Sequence, residues 1–155
     1  MKKTLFSVFL TLSFIFLPGI LPETNAQTIS GSIGTVKRGG STKATVVMSI
    51  PGGLHVNSSR PGSEYAIPTV VRASASGAKV GSMMYPRGKN RKLAFSEDTL
   101  NVYEGRAVFN FNVAVPANFK GNTISVRVVA RYQACTDEVC YPPKSKEVTL
   151  TAKVL

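Results

Sequence analysis

Apolar and polar residues alternate along most of the chain after residue 40, so the hydrophobic period is two residues rather than the 3.6 of a helix. A period of two places successive side chains on opposite faces of a β-strand. The pattern therefore predicts strands that each bury one face. The clearest are Thr45–Ile50, Val108–Val115, Ile124–Ala134 and Glu147–Val154.

Glycine and proline mark turns between these strands, as in Pro51-Gly52-Gly53 and Lys120-Gly121-Asn122. No window shows a helical period. Many short strands at this spacing are typical of an all-β protein, and a β-sandwich is the leading fold. The longest stretch without alternation, Tyr85–Asp98, is predicted to be a functional or mobile loop.

The first 26 residues have the features of a secretory signal peptide: a basic start, an apolar run over Leu5–Leu21, and small or polar residues before Ala26. We predict cleavage after Ala26, which leaves residues 27–155 as one domain with no transmembrane segment, periplasmic or secreted. A retained anchor is the alternative, but Pro18 interrupts the run and a spanning helix needs about 20 apolar residues.

The formal net charge is +11 at pH 7. A basic surface favours anionic partners, although solubility alone accounts for such a charge. The basic residues are scattered except for Arg87–Lys92, which falls in the predicted loop and contains no aromatic residue. Since a nucleic-acid groove uses aromatic side chains to stack bases, we predict no nucleic-acid partner.

His55 is the single histidine of the chain. Alternation places His55 and Asn57 on one face of a short strand, with Leu54 and Val56 on the other. Neither a second histidine nor an acidic cluster at ligand spacing accompanies it, so we predict no metal and no cofactor. No nucleophile elbow, phosphate-binding loop or paired-carboxylate motif is present. A hydrolase or metalloenzyme is therefore the least favoured class of function for this chain.

The two cysteines, Cys135 and Cys140, lie in the segment YQACTDEVCYPP. Strand parity places Cys135 on the polar side of Ile124–Ala134, and Thr136–Val139 has the length of a hairpin connection. A disulfide that closes so short a loop removes little chain entropy from the unfolded state. The spacing therefore favours a functional cysteine pair over a purely structural disulfide. Both readings stay open from the residues alone.

Charged neighbours would tune the reactivity of this pair. Asp137 and Glu138 lie between the cysteines and disfavour a thiolate, whereas Arg131, Lys144 and Lys146 oppose that effect. The spacing is not Cys-x-x-Cys, and no predicted helix begins at either cysteine, so the segment is not a thioredoxin site. Pro142 and Pro143 end regular strand pairing just beyond Cys140.

The cysteine segment resembles the N-terminal periplasmic domain family of the thiol:disulfide interchange protein DsbD. Similar motifs occur upstream, in GLHVNS, YAIPT and LNVYEG, so the resemblance covers most of residues 27–155. It implies an immunoglobulin-like β-sandwich and a redox relay that exchanges with thioredoxin-fold periplasmic proteins. Cytochrome c maturation is one process that such relays serve.

The resemblance also implies roles for individual residues. Cys140 would form the mixed disulfide with a partner, and Cys135 would resolve it. Phe95 falls where the family has a cap loop that shields the disulfide. The other residues that would flank the pair are His55, Asn57, Tyr132 and Tyr141.

Two hypotheses follow. The first is a thiol:disulfide relay, which acts as a stoichiometric electron carrier more than as a turnover enzyme. Because the sequence ends at Leu155, before any membrane or thioredoxin-like domain of the family, this relay would need a separate membrane electron donor. The second is a non-redox extracytoplasmic binding module in which the disulfide is structural and the basic surface attracts the partner.

Overall fold

The structure is a computed structural model that describes residues 27–155. The predicted signal peptide, residues 1–26, lies outside the described residues. Within 27–155 the regular elements are strands: β1 (Thr28–Ile33), β2 (Ser41–Ser49), β3 (His55–Asn57), β4 (Val70–Ala75), β5 (Lys79–Val80), β6 (Lys89–Lys92), β7 (Thr99–Tyr103), β8 (Arg106–Ala114), β9 (Thr123–Tyr132), β10 (Ala134–Cys135) and β11 (Lys144–Lys153). No helix in this part of the chain is long and apolar enough to cross a membrane.

The strands form three antiparallel sheets, ordered β1-β2-β8-β5, β11-β9-β4 and β10-β3-β7-β6. The first two share one hydrophobic core. The alternating apolar residues of β2, β8, β9 and β11 are buried in it, as the sequence pattern predicted. Residues such as Phe109 and Val128 have no exposed surface at all.

The third sheet contributes Val56 and Tyr103 to the same core and holds Cys135 on β10, with Cys140 bridged to it. Its β7 leads into β8 through Glu104-Gly105, where Gly105 has a φ of 64° that favours glycine. Tyr103 of β7 packs edge-to-face on Phe109 of β8, with ring centroids 5.9 Å apart. The third sheet is thereby tied to the main core.

The prediction of a loop over Tyr85–Asp98 is wrong for the central part of that stretch, which is a strand. Lys89–Lys92, four of the six residues in the basic cluster, form β6, which pairs with β7 at a sheet edge. The side chains of this strand are exposed or half-buried on both faces. Because neither face is fully buried, the strand leaves no apolar alternation in the sequence.

Candidate functional site

Cys135 and Cys140 are joined by a disulfide, with their Cα atoms 4.0 Å apart. Cys135 ends β10 and is completely buried, whereas Cys140 is half-buried. The sulfur atoms therefore belong to cysteines with different access to solvent. An approaching molecule can reach Cys140 but not Cys135.

The connection between the cysteines is a tight hairpin loop, as the spacing predicted. The backbone N–H of Thr136 donates to the carbonyl oxygen of Val139 at 2.8 Å. The Thr136 hydroxyl accepts from the backbone N–H groups of Glu138 and Val139 at 3.2 and 3.1 Å. Tyr141 N–H donates to the Ala134 carbonyl at 2.9 Å on the far side of the disulfide. Backbone bonds thus hold the loop on both sides of the sulfur bridge.

The predicted placement of Cys135 on the polar side of its strand is wrong. The alternation of β9 ends at Tyr132, and after the half-buried Gln133 both Ala134 and Cys135 are buried. The cause is a change of partner, since β9 pairs with β4 and β11 but β10 pairs with β3. The alternation of buried and exposed side chains in β9 therefore does not predict which face a residue of β10 occupies.

His55 is the direct cross-strand partner of Cys135. Its side chain is 3 % exposed, and its Nε2 atom is buried without a hydrogen-bond partner among the described residues. Burial lowers the pKa of His55 below its usual value of 6.5, opposed by Asp137 and Glu104 and reinforced by Arg91. The imidazole next to the inner cysteine is therefore neutral at pH 7.

Asn57 shares β3 with His55 and is also buried. Its amide nitrogen donates to the Ile67 carbonyl at 3.1 Å and to Gln133 Oε1 at 3.2 Å. The amide nitrogen of Gln133 in turn donates to the Tyr141 carbonyl at 3.2 Å. Gln133, which the sequence did not mark as a site residue, thus connects Asn57 to the segment just past Cys140.

Phe95 and Cys140 line the same pocket, of about 520 Å³. Phe95 is 40 % exposed, and Tyr65, which also lines the pocket, is 86 % exposed. Asn57 and Gln133 are among the polar residues of its wall, which also include the carboxylates Glu97 and Asp98. The predicted site residues Cys140, Asn57 and Phe95 are therefore brought together, with aromatic groups beside the half-buried cysteine.

The two tyrosines of the cysteine segment have different environments. Tyr132 is 1 % exposed, belongs to the main core and pairs across the sheet with Lys144. Tyr141 is 44 % exposed and follows Cys140 directly. Tyr141 is thus open to solvent beside Cys140, whereas Tyr132 is part of the core at the end of β9.

Arg91 of β6 is a further residue that the sequence did not mark. Its guanidinium lies 2.8 Å from Glu104 Oε1 and 3.6 Å from Asp137 Oδ1. Asp137 belongs to the loop between the cysteines, so Arg91 places a positive charge beside that loop. Within residues 27–155, Arg131, Lys144 and Lys146, the cations that the sequence suggested, form no ion pair with this loop.

The sequence was compared with models of known families. The model described as "Thiol:disulfide interchange protein DsbD, N-terminal" matches residues 20–152. The chain belongs to this DsbD N-terminal family. A search of the curated proteins gave no significant match.

Solved structures of DsbD-type domains share the fold. One is the N-terminal periplasmic domain of ScsB from Proteus mirabilis, with 15% identity and a TM-score of 0.56 over 86% of this chain. This chain spans about half, 48%, of that ScsB chain. Another is a complex between the DsbD N-terminal and PilB N-terminal domains from Neisseria meningitidis, with 19% identity, a TM-score of 0.52, and coverage of 84% of this chain and 86% of that one. The predicted immunoglobulin-like β-sandwich is confirmed.

Membership of the DsbD N-terminal family and the geometry of the disulfide both point to thiol–disulfide exchange. A disulfide is broken by a thiolate that attacks one of its sulfur atoms, so access to that sulfur decides which one reacts. In this member the buried Cys135 is shielded, and the half-buried Cys140 opens on a pocket. The arrangement suits thiol–disulfide exchange through a single reachable sulfur.

Proposed function

We propose that this domain exchanges disulfides with thioredoxin-fold proteins through the Cys135–Cys140 pair. The observation that carries the proposal is the unequal burial of the two cysteines. Cys135 has 0% exposed surface, whereas Cys140 lines a pocket with Phe95. Cys140 is then the sulfur that meets the partner, and Cys135 is the resolving cysteine.

The exchange has two steps that balance. The Cys140 thiolate attacks the partner's disulfide, forms a mixed disulfide and displaces one partner thiolate. The Cys135 thiolate then attacks the Cys140 sulfur and displaces the second partner thiolate, which takes up a proton as the first did. The domain has lost two electrons and two protons, and the partner has gained them. The reverse sequence carries electrons into the domain.

The surrounding residues have roles that follow from their places. Phe95 and Tyr65 limit approach to Cys140, and a partner has to displace or pack against them. Gln133 bonds to Asn57 and to the Tyr141 carbonyl, which fixes the wall of the pocket. The exposed ring of Tyr141 extends the contact surface beside the reactive sulfur.

We place this relay in the periplasm, with residues 1–26 as the signal peptide that directs export. The family membership supports this location, and so does the ScsB domain, which is described as periplasmic. The DsbD–PilB complex supports a thioredoxin-like partner. A membrane electron donor would supply the electrons, and cytochrome c maturation is one pathway that would use them.

Trapping the mixed disulfide tests the proposal. A Cys135→Ala variant retains Cys140 but cannot resolve, so it should accumulate an adduct with an oxidised periplasmic thioredoxin-fold protein on a non-reducing gel. The matched control is Cys140→Ala, whose remaining cysteine is buried and should give no adduct. Equal trapping by both variants, or by neither, would contradict the assignment of the sulfur atoms.

The reduction potential separates a relay from a structural disulfide. Exchange proteins have potentials of about −180 to −270 mV, whereas structural disulfides lie below about −300 mV. We expect the Cys135–Cys140 pair to fall in the first range when it is equilibrated in glutathione buffers. A value in the second range would favour the non-redox binding module.

A further inference from the structure

We propose that His55 accepts the proton of the Cys135 thiol when that thiol resolves a mixed disulfide on Cys140. The inference rests on the proposed thiol–disulfide exchange and adds a residue to it. Three observations carry it: the cross-strand pairing of His55 with Cys135, the free and buried Nε2 atom, and the isolation of Cys135 from water.

The pairing brings the two side chains together. His55 and Cys135 are directly opposite each other in the antiparallel pair of β3 and β10. Residues opposite each other point to the same face, with Cβ atoms about 4.5–5.5 Å apart. When the disulfide opens, the Cys135 thiol is therefore a neighbour of the imidazole.

The imidazole is equipped to take a proton. Its Nε2 atom is buried and has no hydrogen-bond partner among residues 27–155. A buried polar atom without a partner is unusual in a folded protein and is common where a group acts in a reaction. In the reduced protein a thiol S–H gives this nitrogen a donor that the disulfide lacks.

The thiol needs such an acceptor. The nucleophile in exchange is the thiolate, and Cys135 is completely buried, so bases in the solvent remove its proton only slowly at pH 7. Burial lowers the pKa of His55, so the neutral imidazole is present at pH 7 and has a lone pair that can accept a proton. The charges that act on it are Asp137 in the disulfide loop, Glu104 after β7 and Arg91 of β6. The two carboxylates stabilise the imidazolium, and Arg91 opposes them.

Resolution transfers one proton and replaces one sulfur–sulfur bond with another. The Cys135 S–H bond breaks, and its proton passes to the His55 imidazole. The thiolate forms a bond to the Cys140 sulfur, and the bond between Cys140 and the partner sulfur breaks. The partner leaves as a thiolate and takes the proton from the imidazolium, which returns His55 to its neutral form.

A chromogenic disulfide, 5,5′-dithiobis(2-nitrobenzoate), isolates this step without any protein partner. Attack by Cys140 of the reduced domain releases one coloured thiolate, and resolution by Cys135 releases the second. Cys135→Ala should release only the first. We expect His55→Gln to slow the second release at pH 7 at least tenfold, since a positioned general base contributes about 10²–10⁴-fold. The first release should be unchanged.

The pH profile distinguishes proton transfer from a structural effect. In the wild type the second rate should fall as pH drops through the pKa of His55, which burial places below 6.5. His55→Gln should lose this inflection and approach the wild-type rate in alkaline solution, where hydroxide removes the proton. The matched control is Val56→Ala, which perturbs the same strand and should change the rate by one factor at every pH.

A His55→Gln defect that is equal at every pH, or no defect at all, would overturn the proposal. Should His55→Gln not fold, the wild-type profile still decides, because a second rate without an inflection below pH 6.5 contradicts proton transfer to His55. The outcome is independent of the trapping experiment. A domain that traps no thioredoxin-fold protein but shows this profile would refute the proposed partner and retain the role of His55.

Discussion

Arg91 of β6 forms an ion pair with Asp137, the first of the two acidic residues in the loop between the cysteines, at 3.6 Å. The same guanidinium holds Glu104 at 2.8 Å. The cation that offsets the negative charge of Asp137 in the disulfide loop therefore comes from a different strand, 46 positions earlier in the chain. The charge of the loop is set by the fold as well as by its own residues.

Removing this cation should make the pair more strongly reducing. A positive charge stabilises the thiolate of the reduced form, so Arg91→Gln should lower the reduction potential, and Asp137→Asn should raise it. Half-exposed ion pairs contribute about 0.2–1 kcal/mol, which corresponds to shifts below about 20 mV. Equilibration with glutathione measures both. Lys89→Gln is the control, because Lys89 contacts Glu104 but not Asp137.

Salt gives the electrostatic prediction a second test. At about 1 M salt the Debye length falls to about 3 Å, so the differences between wild type, Arg91→Gln and Asp137→Asn should shrink. Shifts of the same sign in the two variants, or shifts that persist at high salt, would show that the effect is not the charge.

Phe95 should control the access of small molecules to the disulfide. Phe95→Ala removes an aromatic wall of the pocket that Cys140 lines, so dithiothreitol should reduce the disulfide several-fold faster. Stopped-flow or quenched thiol counting measures the rate. Met84→Ala is the control, since Met84 is 51% exposed and does not line this pocket. An unchanged rate in Phe95→Ala would refute a shielding role.

The buried His55 makes stability depend on pH. Its pKa is lower in the folded protein than the unfolded value of 6.5, so the unfolded chain binds the extra proton first. The free energy of unfolding should therefore decrease as pH falls from about 6.5 through the folded pKa. Urea titrations of the oxidised protein at pH 7.5 and 5 measure this, and His55→Gln should flatten the dependence. A wild type that gains stability over this interval would contradict the lowered pKa.

The disulfide should contribute little to the stability of the domain. A loop with a sequence separation of 5 constrains the unfolded chain by about 2 kcal/mol. Cys135→Ala/Cys140→Ser should remain folded, because the core is built elsewhere from β2, β8, β9 and β11. Urea unfolding measures the loss, with the wild type in dithiothreitol as the control that creates no cavity at Cys135. A variant unfolded at 25 °C would refute this.

The sequence predicted the parts of the fold that have one buried face. The alternation from Ile124 to Tyr132 appears as the buried side of β9, because that strand keeps its neighbours throughout. The prediction failed at Cys135, where the chain changes sheets within a single residue, Gln133. It also failed for Lys89–Lys92. This edge strand has no buried face, so its sequence shows no alternation of apolar and polar residues.

The disulfide of the candidate site was predicted from the sequence, and its surroundings were predicted only partly. Local spacing indicated the Cys135–Cys140 hairpin. The contact of Arg91 with Asp137 and the pairing of His55 with Cys135 depend on strand order, which alternation does not encode. The placement of Phe95 beside Cys140 followed from the family resemblance, since nothing in the apolar pattern marks it.

The pair and its surroundings assemble by contacts of very different range. Cys135 and Cys140 are 5 positions apart, and so short a loop closes in well under a microsecond, whereas Asn57 and Gln133 are 76 positions apart and meet late. With 2 cysteines in the whole chain, an oxidant acting on the nascent polypeptide has no wrong intramolecular bond to make. The two cysteines differ in burial only in the folded domain, where β10 pairs with β3, so the selectivity proposed for the pair depends on completed folding.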